Sequence, residues 1–148
     1  LHLAYLLTMP GIPIIYYGDE IGMTGASDPD NRRMMRFGDE LNENEKQTFN
    51  EVSKLIHIRK EHSALRYGDF LTLQADENVY AYLRSDMNER ILTVINKNPN
   101  QQKLEFTLPD MYKVSKVKDL VSGKEFEVNN NKLSVSVEGI KYLIIIMK

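Results

Sequence analysis

The side chains able to do chemistry gather in the polar stretch 18–41, where Asp19 and Glu20 are adjacent and Asp28 and Arg32 stand four residues apart. A carboxylate accepts hydrogen bonds from two vicinal hydroxyls, and a guanidinium donates through a planar fork. The same two groups also form an internal ion pair that staples an exposed loop. Residue types alone leave both readings of Asp28 and Arg32 open. For Asp19 and Glu20, set between Gly18 and Gly22, the structural reading outweighs a catalytic one. Such carboxylates anchor a loop by accepting from backbone amides and neighbouring arginines.

Elsewhere the reactive side chains are scattered. His57 and His62 fall on one expected helix, five apart and off the i, i+4 face that a metal pair needs, and His2 lies on another. Asn129, Asn130 and Asn131 carry oxygens that suit calcium, but no acidic cluster accompanies them and a turn is the simpler expectation. Tyr80, Tyr82 and Phe106 alternate in strands, which usually means packing rather than a binding face. The absence of cysteine removes disulfides, thiolate metal sites and cysteine nucleophiles.

Two patterning rules divide the chain that must position these groups. Residues 1–67 read as helix, buried strand, long loop and helix. The opening apolar run Leu1, Leu3, Ala4, Leu6, Leu7 stops at Pro10-Gly11, and Ile12, Ile14, Ile15, Tyr16 and Tyr17 follow as a strand apolar on both faces. Such a strand belongs in a parallel sheet covered by helices. A second helix is expected over 43–62, capped by Asn42 with Glu45 in a capping box, and burying Phe49, Val52, Leu55, Ile56 and Arg59.

Residues 68–148 alternate with period two. Val79, Ala81 and Leu83 form one face of a strand, Leu104, Phe106 and Leu108 that of a second, and Leu133, Val135 and Val137 that of a third. Turn signals at 85–88, 98–100, 122–123 and 129–131 separate the runs. An antiparallel Greek-key sandwich of about seven to eight strands is expected, with the wholly apolar runs 91–95 and 142–147 at its centre.

The 148 residues suit one domain or two small ones, and 42% hydrophobic with 27% charged side chains is a soluble globular composition. A net charge of −2, from 19 basic and 21 acidic residues, gives no concentrated positive field for nucleic acid or an anionic membrane. Leu1 opens inside an apolar helical run too short to span a bilayer, so a piece of a longer protein is expected.

The stretch Met9-Pro10-Gly11-Ile12-Pro13-Ile14-Ile15-Tyr16-Tyr17-Gly18-Asp19-Glu20-Ile21-Gly22-Met23 closely resembles the eighth barrel strand of the α-amylase family of glycoside hydrolases. Asp28-Pro29-Asp30-Asn31-Arg32-Arg33 is similar to the loop after that strand in the neopullulanase and cyclomaltodextrinase group. Val79-Tyr80-Ala81-Tyr82-Leu83-Arg84 and Leu92-Thr93-Val94-Ile95-Asn96 resemble the family's C-terminal β domain. The first 37 residues carry the specific part of the likeness. In one place the pattern departs: Met34-Met35-Arg36-Phe37 replaces arginine-proline-methionine-x-tryptophan. With no tryptophan in the chain, Phe37 is the aromatic left to take part of that sugar-stacking surface.

The resemblance implies the last β/α unit of a (β/α)8 barrel over 1–67 and a β-sandwich over 68–148. It implies a retaining α-glucan hydrolase as parent, acting on maltooligosaccharides, cyclomaltodextrins or pullulan. The family's nucleophile, acid and supporting aspartate sit on the fourth, fifth and seventh barrel strands, so no catalytic residue is expected here and the isolated piece should be inactive. Asp28 and Arg32 match the pair that binds the glucose unit one step from the cleaved bond. No cofactor is implied in this segment, and any calcium belongs to the rest of such an enzyme. A transglycosylase of the same family shares these motifs, and a non-catalytic amylase-like interaction domain shares the fold. A free-standing carbohydrate-binding sandwich has no use for a barrel strand.

Burying Ile12, Ile14, Ile15 and Tyr16 is worth about 1.5–3 kcal/mol apiece. That segment is therefore expected to find cover, against its own chain or in a two-fold homodimer pairing residues 12–17 or the helices at 1–7.

Overall fold

A computed structural model describes residues 1–109 and 114–147. Three α-helices precede eight strands: α1 (His2–Thr8), α2 (Glu43–Glu61) and α3 (Ser63–Tyr67). The strands are β1 (Asp69–Ala75), β2 (Val79–Ser85), β3 (Arg90–Asn96), β4 (Gln102–Thr107), β5 (Lys116–Asp119), β6 (Glu125–Asn129), β7 (Lys132–Val137) and β8 (Tyr142–Met147). Between α1 and α2 the chain makes only single 3₁₀ turns, at Asp19–Ile21, Asp30–Arg32 and Gly38–Glu40.

The strands form one antiparallel sheet in the order β1-β2-β3-β8-β5-β6-β7-β4. Consecutive β5, β6 and β7 are neighbours and β4 lies beside β7, which is a Greek key. The β6–β7 turn is the expected asparagine turn: Asn130 and Asn131 both have positive φ, of 50° and 61°, as a tight hairpin requires. Val79, Leu92 and Val94 from one end of the sheet share a core with Phe106, Leu133 and Val135 from the other. The sheet therefore curls until its inner face closes on itself. Two layers arise from one continuous sheet rather than from two.

β7 alternates buried and exposed residues along its whole length, because its outer face meets water. β3 is buried at six successive positions, 91–96. Its outer face, with that of β8, lies under the helices, where Ile91 and Ile144 pack with Ala4, Leu7, Leu55, Ile58, Ala64 and Leu65. The apolar runs 91–95 and 142–147 are adjacent central strands, as their composition predicts.

α2 begins where Asn42 predicts it. The Asn42 side chain accepts from the Glu45 amide at 3.0 Å, and Glu45 returns to the Asn42 amide at 2.9 Å. Val52, Leu55 and Arg59 are buried with Ile58, whereas Phe49, expected on that face, is 48% exposed. The segment 12–16 corrects a second expectation: it lies outside any strand, with Ile12 92% and Ile14 80% exposed. A strand needs ladder partners for its amides and carbonyls, and the chain's own sheet is occupied elsewhere.

Two buried arginines fasten the helices, Arg84 to the sheet and Arg59 to one another. Arg84 on β2, 1% exposed, donates to the carbonyls of Thr8 and Leu65, each at 2.9 Å, to Gly68 at 2.9 Å and to Asp69 at 3.3 Å. Arg59 on α2 donates to the carbonyls of Leu7 at 2.8 Å, Met9 at 3.1 Å and Gly11 at 2.6 Å. The last carbonyls of a helix lack intrahelical partners, and a guanidinium fork supplies them. Burial holds both guanidinium pKa values below the usual range, and the like charge of Arg59 lowers that of Arg84 further. Beside them Tyr82 meets the Thr8 hydroxyl at 2.5 Å, and burial pushes its phenol up to about 12.

Candidate functional site

The loop between α1 and α2 carries the expected site residues. Arg32 Nε lies 2.7 Å from Asp28 Oδ1, and the two side chains remain 71% and 58% exposed. The two thus make a single ion-pair contact within the loop, and most of both polar groups faces solvent. Next to it Arg33 forms a fork on Asp30, with contacts of 2.7–2.9 Å. Asp30 Oδ2 also accepts from the Ala26 amide at 2.8 Å. That amide first, and then Arg33, hold the Asp30 carboxyl below the usual carboxylate range. This second pair fixes the turn that presents Asp28 and Arg32. Its i, i+3 spacing was visible in the sequence and was not singled out.

Asp19 and Glu20 do what anchoring carboxylates do. Asp19 accepts from the Tyr16 amide at 3.2 Å, and Glu20 from the Gly18 amide at 2.8 Å. Both acceptances close the turn into the 3₁₀ segment, which seats Ile21 at 2% exposure. Arg36 pairs with Glu45 at the start of α2, so the far end of the loop is tied as well. Phe37, 68% exposed, lines a cleft of about 490 Å³ together with Met35, Leu41 and Phe49.

The other candidates resolve into packing. Tyr82 and Phe106 are buried, at 0% and 6% exposure. His62 pairs with Glu89 at 2.8 Å, and Glu89 also takes the Ala64 amide at 3.2 Å, which docks α3 on the β2–β3 turn. His57 meets the Ser53 carbonyl on its own helix.

Residues 70–144 match the maltogenic amylase C-terminal domain family. The chain belongs to that family. Its likeness to the C-terminal part of α-amylase-family glycoside hydrolases, drawn above from residues 9–37, agrees with this membership. A cyclomaltodextrinase of Thermoanaerobacter pseudethanolicus is 40% identical over 133 residues, 90% of this chain and 22% of that protein. A cyclomaltodextrin glucanotransferase of Bacillus sp. (strain 1-1) is 33% identical over 132 residues, 87% of this chain and 18% of that protein. The crystal structure of an Anoxybacillus α-amylase superposes with a TM-score of 0.88 at 30% identity, covering 98% of this chain and 31% of that one. This member of the maltogenic amylase C-terminal domain family thus spans about a fifth of the length of the curated relatives it matches.

Proposed function

We propose that this chain is the C-terminal part of a retaining α-glucan hydrolase that acts on maltooligosaccharides, cyclomaltodextrins or pullulan. The observation that carries the reading is the exposed Asp28–Arg32 pair in a chain of this family. Its carboxylate accepts from vicinal sugar hydroxyls while the guanidinium donates to a neighbouring oxygen. Glycoside hydrolysis also needs two carboxyl groups flanking the scissile bond, and these are supplied by the remainder of the parent. Residues 1–67 complete the parent's barrel, and residues 68–148 form a β domain behind it. In that setting residues 12–17 gain neighbouring strands and the ladder they lack here.

In the parent, Asp28→Ala and Arg32→Ala each lower kcat/KM on a maltooligosaccharide by about 1–3 kcal/mol, roughly tenfold to a hundredfold. Thermal stability changes little, because both side chains are exposed. Wild-type kinetics in both variants identify the pair as a loop staple and refute the sugar reading. A second reading, transglycosylation at the same pair, draws support from the glucanotransferase relative. The ratio of transfer product to free reducing ends separates the two.

For the chain in isolation, the uncovered Ile12 and Ile14 favour a two-fold homodimer. Light scattering is expected to show a mass that rises toward twice the monomer with concentration. A strict monomer at high concentration contradicts this.

A further inference from the structure

The long excursion 9–41 is not free between its ends. It is tied to α2 at three successive levels. Near the C-terminal end of α2, Arg59 holds the carbonyls of Leu7, Met9 and Gly11. Capping α1 explains only the first two of these, since Gly11 lies two residues past the C-cap, Met9. Midway, Ile21 is buried and Gly22 faces Thr48. At the N-terminal end, Glu45 holds Arg36, although its capping role on Asn42 is already met by its other oxygen. Between these ties the chain is open, with Ile14 80% and Met34 87% exposed.

We propose that α2 is the strut that positions the Asp28–Arg32 loop, with Arg59 and Glu45 as positioning residues at the two ends of the excursion. The proposal rests on Asp28 and Arg32 touching sugar. Fixing both ends removes most of the conformational freedom that the loop would otherwise lose on binding. Arg59 does this through a fork that reaches three carbonyls, a task one lysine ammonium cannot repeat. Glu45 does it through charge, which glutamine lacks while still accepting from the Asn42 amide.

Amide hydrogen exchange on this chain tests the inference. Arg59→Lys is expected to speed exchange of the hydrogen-bonded Met9 and Tyr16 amides by about tenfold, and Glu45→Gln to do the same for the Arg32 and Phe37 amides, while β3 and β8 keep wild-type protection. Equal acceleration of β3 and β8, or wild-type exchange at both pairs of loop amides, overturns it. Should Arg59→Lys fail to fold, the Glu45→Gln amides decide alone. In the parent, each variant is expected to raise KM for a maltooligosaccharide severalfold with kcat nearly unchanged. Accelerated exchange at wild-type KM overturns the positioning role. Wild-type kinetics in the Asp28→Ala variant instead strike the sugar reading, and the exchange pattern stands apart from that result.

Discussion

Arg84→Met is expected to destabilise the chain by about 3–5 kcal/mol, because several buried carbonyls lose one charged donor at once. The methionine fills much of the volume, so a cavity is not the cause. The loss comes from the carbonyls of Thr8, Leu65 and Gly68, which end α1 and α3 and have the guanidinium as their donor. A buried carbonyl left without a donor costs about 1–3 kcal/mol. Arg84→Lys retains the charge and fewer of the bonds, so it should fall between wild type and Arg84→Met. Urea unfolding at constant slope reads the difference as a lower midpoint. A wild-type midpoint in Arg84→Met would show that water replaces the guanidinium without penalty.

Gly139→Ala is the second large effect, on the order of 2–3 kcal/mol, as for overpacking against a part that cannot yield. A β-carbon on Gly139 would sit 1.8 Å from the Pro99 carbonyl oxygen and 2.4 Å from its carbon. Those are backbone atoms, and the loop holding them is pinned. Asn96, fully buried, donates through its side-chain amide to the carbonyls of Asn100 at 2.9 Å and Glu138 at 3.0 Å. The Ile140 amide donates to the Asn98 carbonyl at 3.0 Å. The two loops are therefore stitched on both sides of the contact. Gly123→Ala is a control, because open space around Gly123 leaves only the strain of its positive φ of 78°. The melting temperature should drop much further for Gly139→Ala than for Gly123→Ala. Equal drops would show that the Pro99 backbone yields to the β-carbon without a crowding penalty.

The sequence was most legible where one local rule decides the outcome. Asn42 and Glu45 announce a helix start, and α2 starts there. The alternation around Leu133, Val135 and Val137 announces a strand with one wet face, and β7 is one. The apolar run 142–147 announces a strand covered on both sides, and the helices cover the outer face of β8. Where the outcome depends on a partner, the reading failed. Residues 12–17 have the side chains of a buried strand, but a strand is a property of pairs, and pattern alone does not supply the neighbour. β1, β5 and β6 carry no clear strand signal for a related reason: β1 is an edge strand exposed at most positions, and β5 and β6 are only four and five residues long. Within the site, the types and spacing of Asp28 and Arg32 gave the ion pair directly. Arg59 was legible only as a buried helix position. Its acceptors are backbone carbonyls 48–52 residues away, and carbonyls leave no mark in a sequence.

The proposal that this chain is part of an α-glucan-cleaving enzyme is tested most directly by reducing-end release from a cyclomaltodextrin. The full-length parent and this isolated chain should be assayed side by side. Steady release by the parent and none above buffer by the isolated chain is the expected result, following the proposal that the flanking carboxylates are supplied by the parent's remainder. A parent with no release or transfer on any α-glucan contradicts it, and so does release by the purified chain alone.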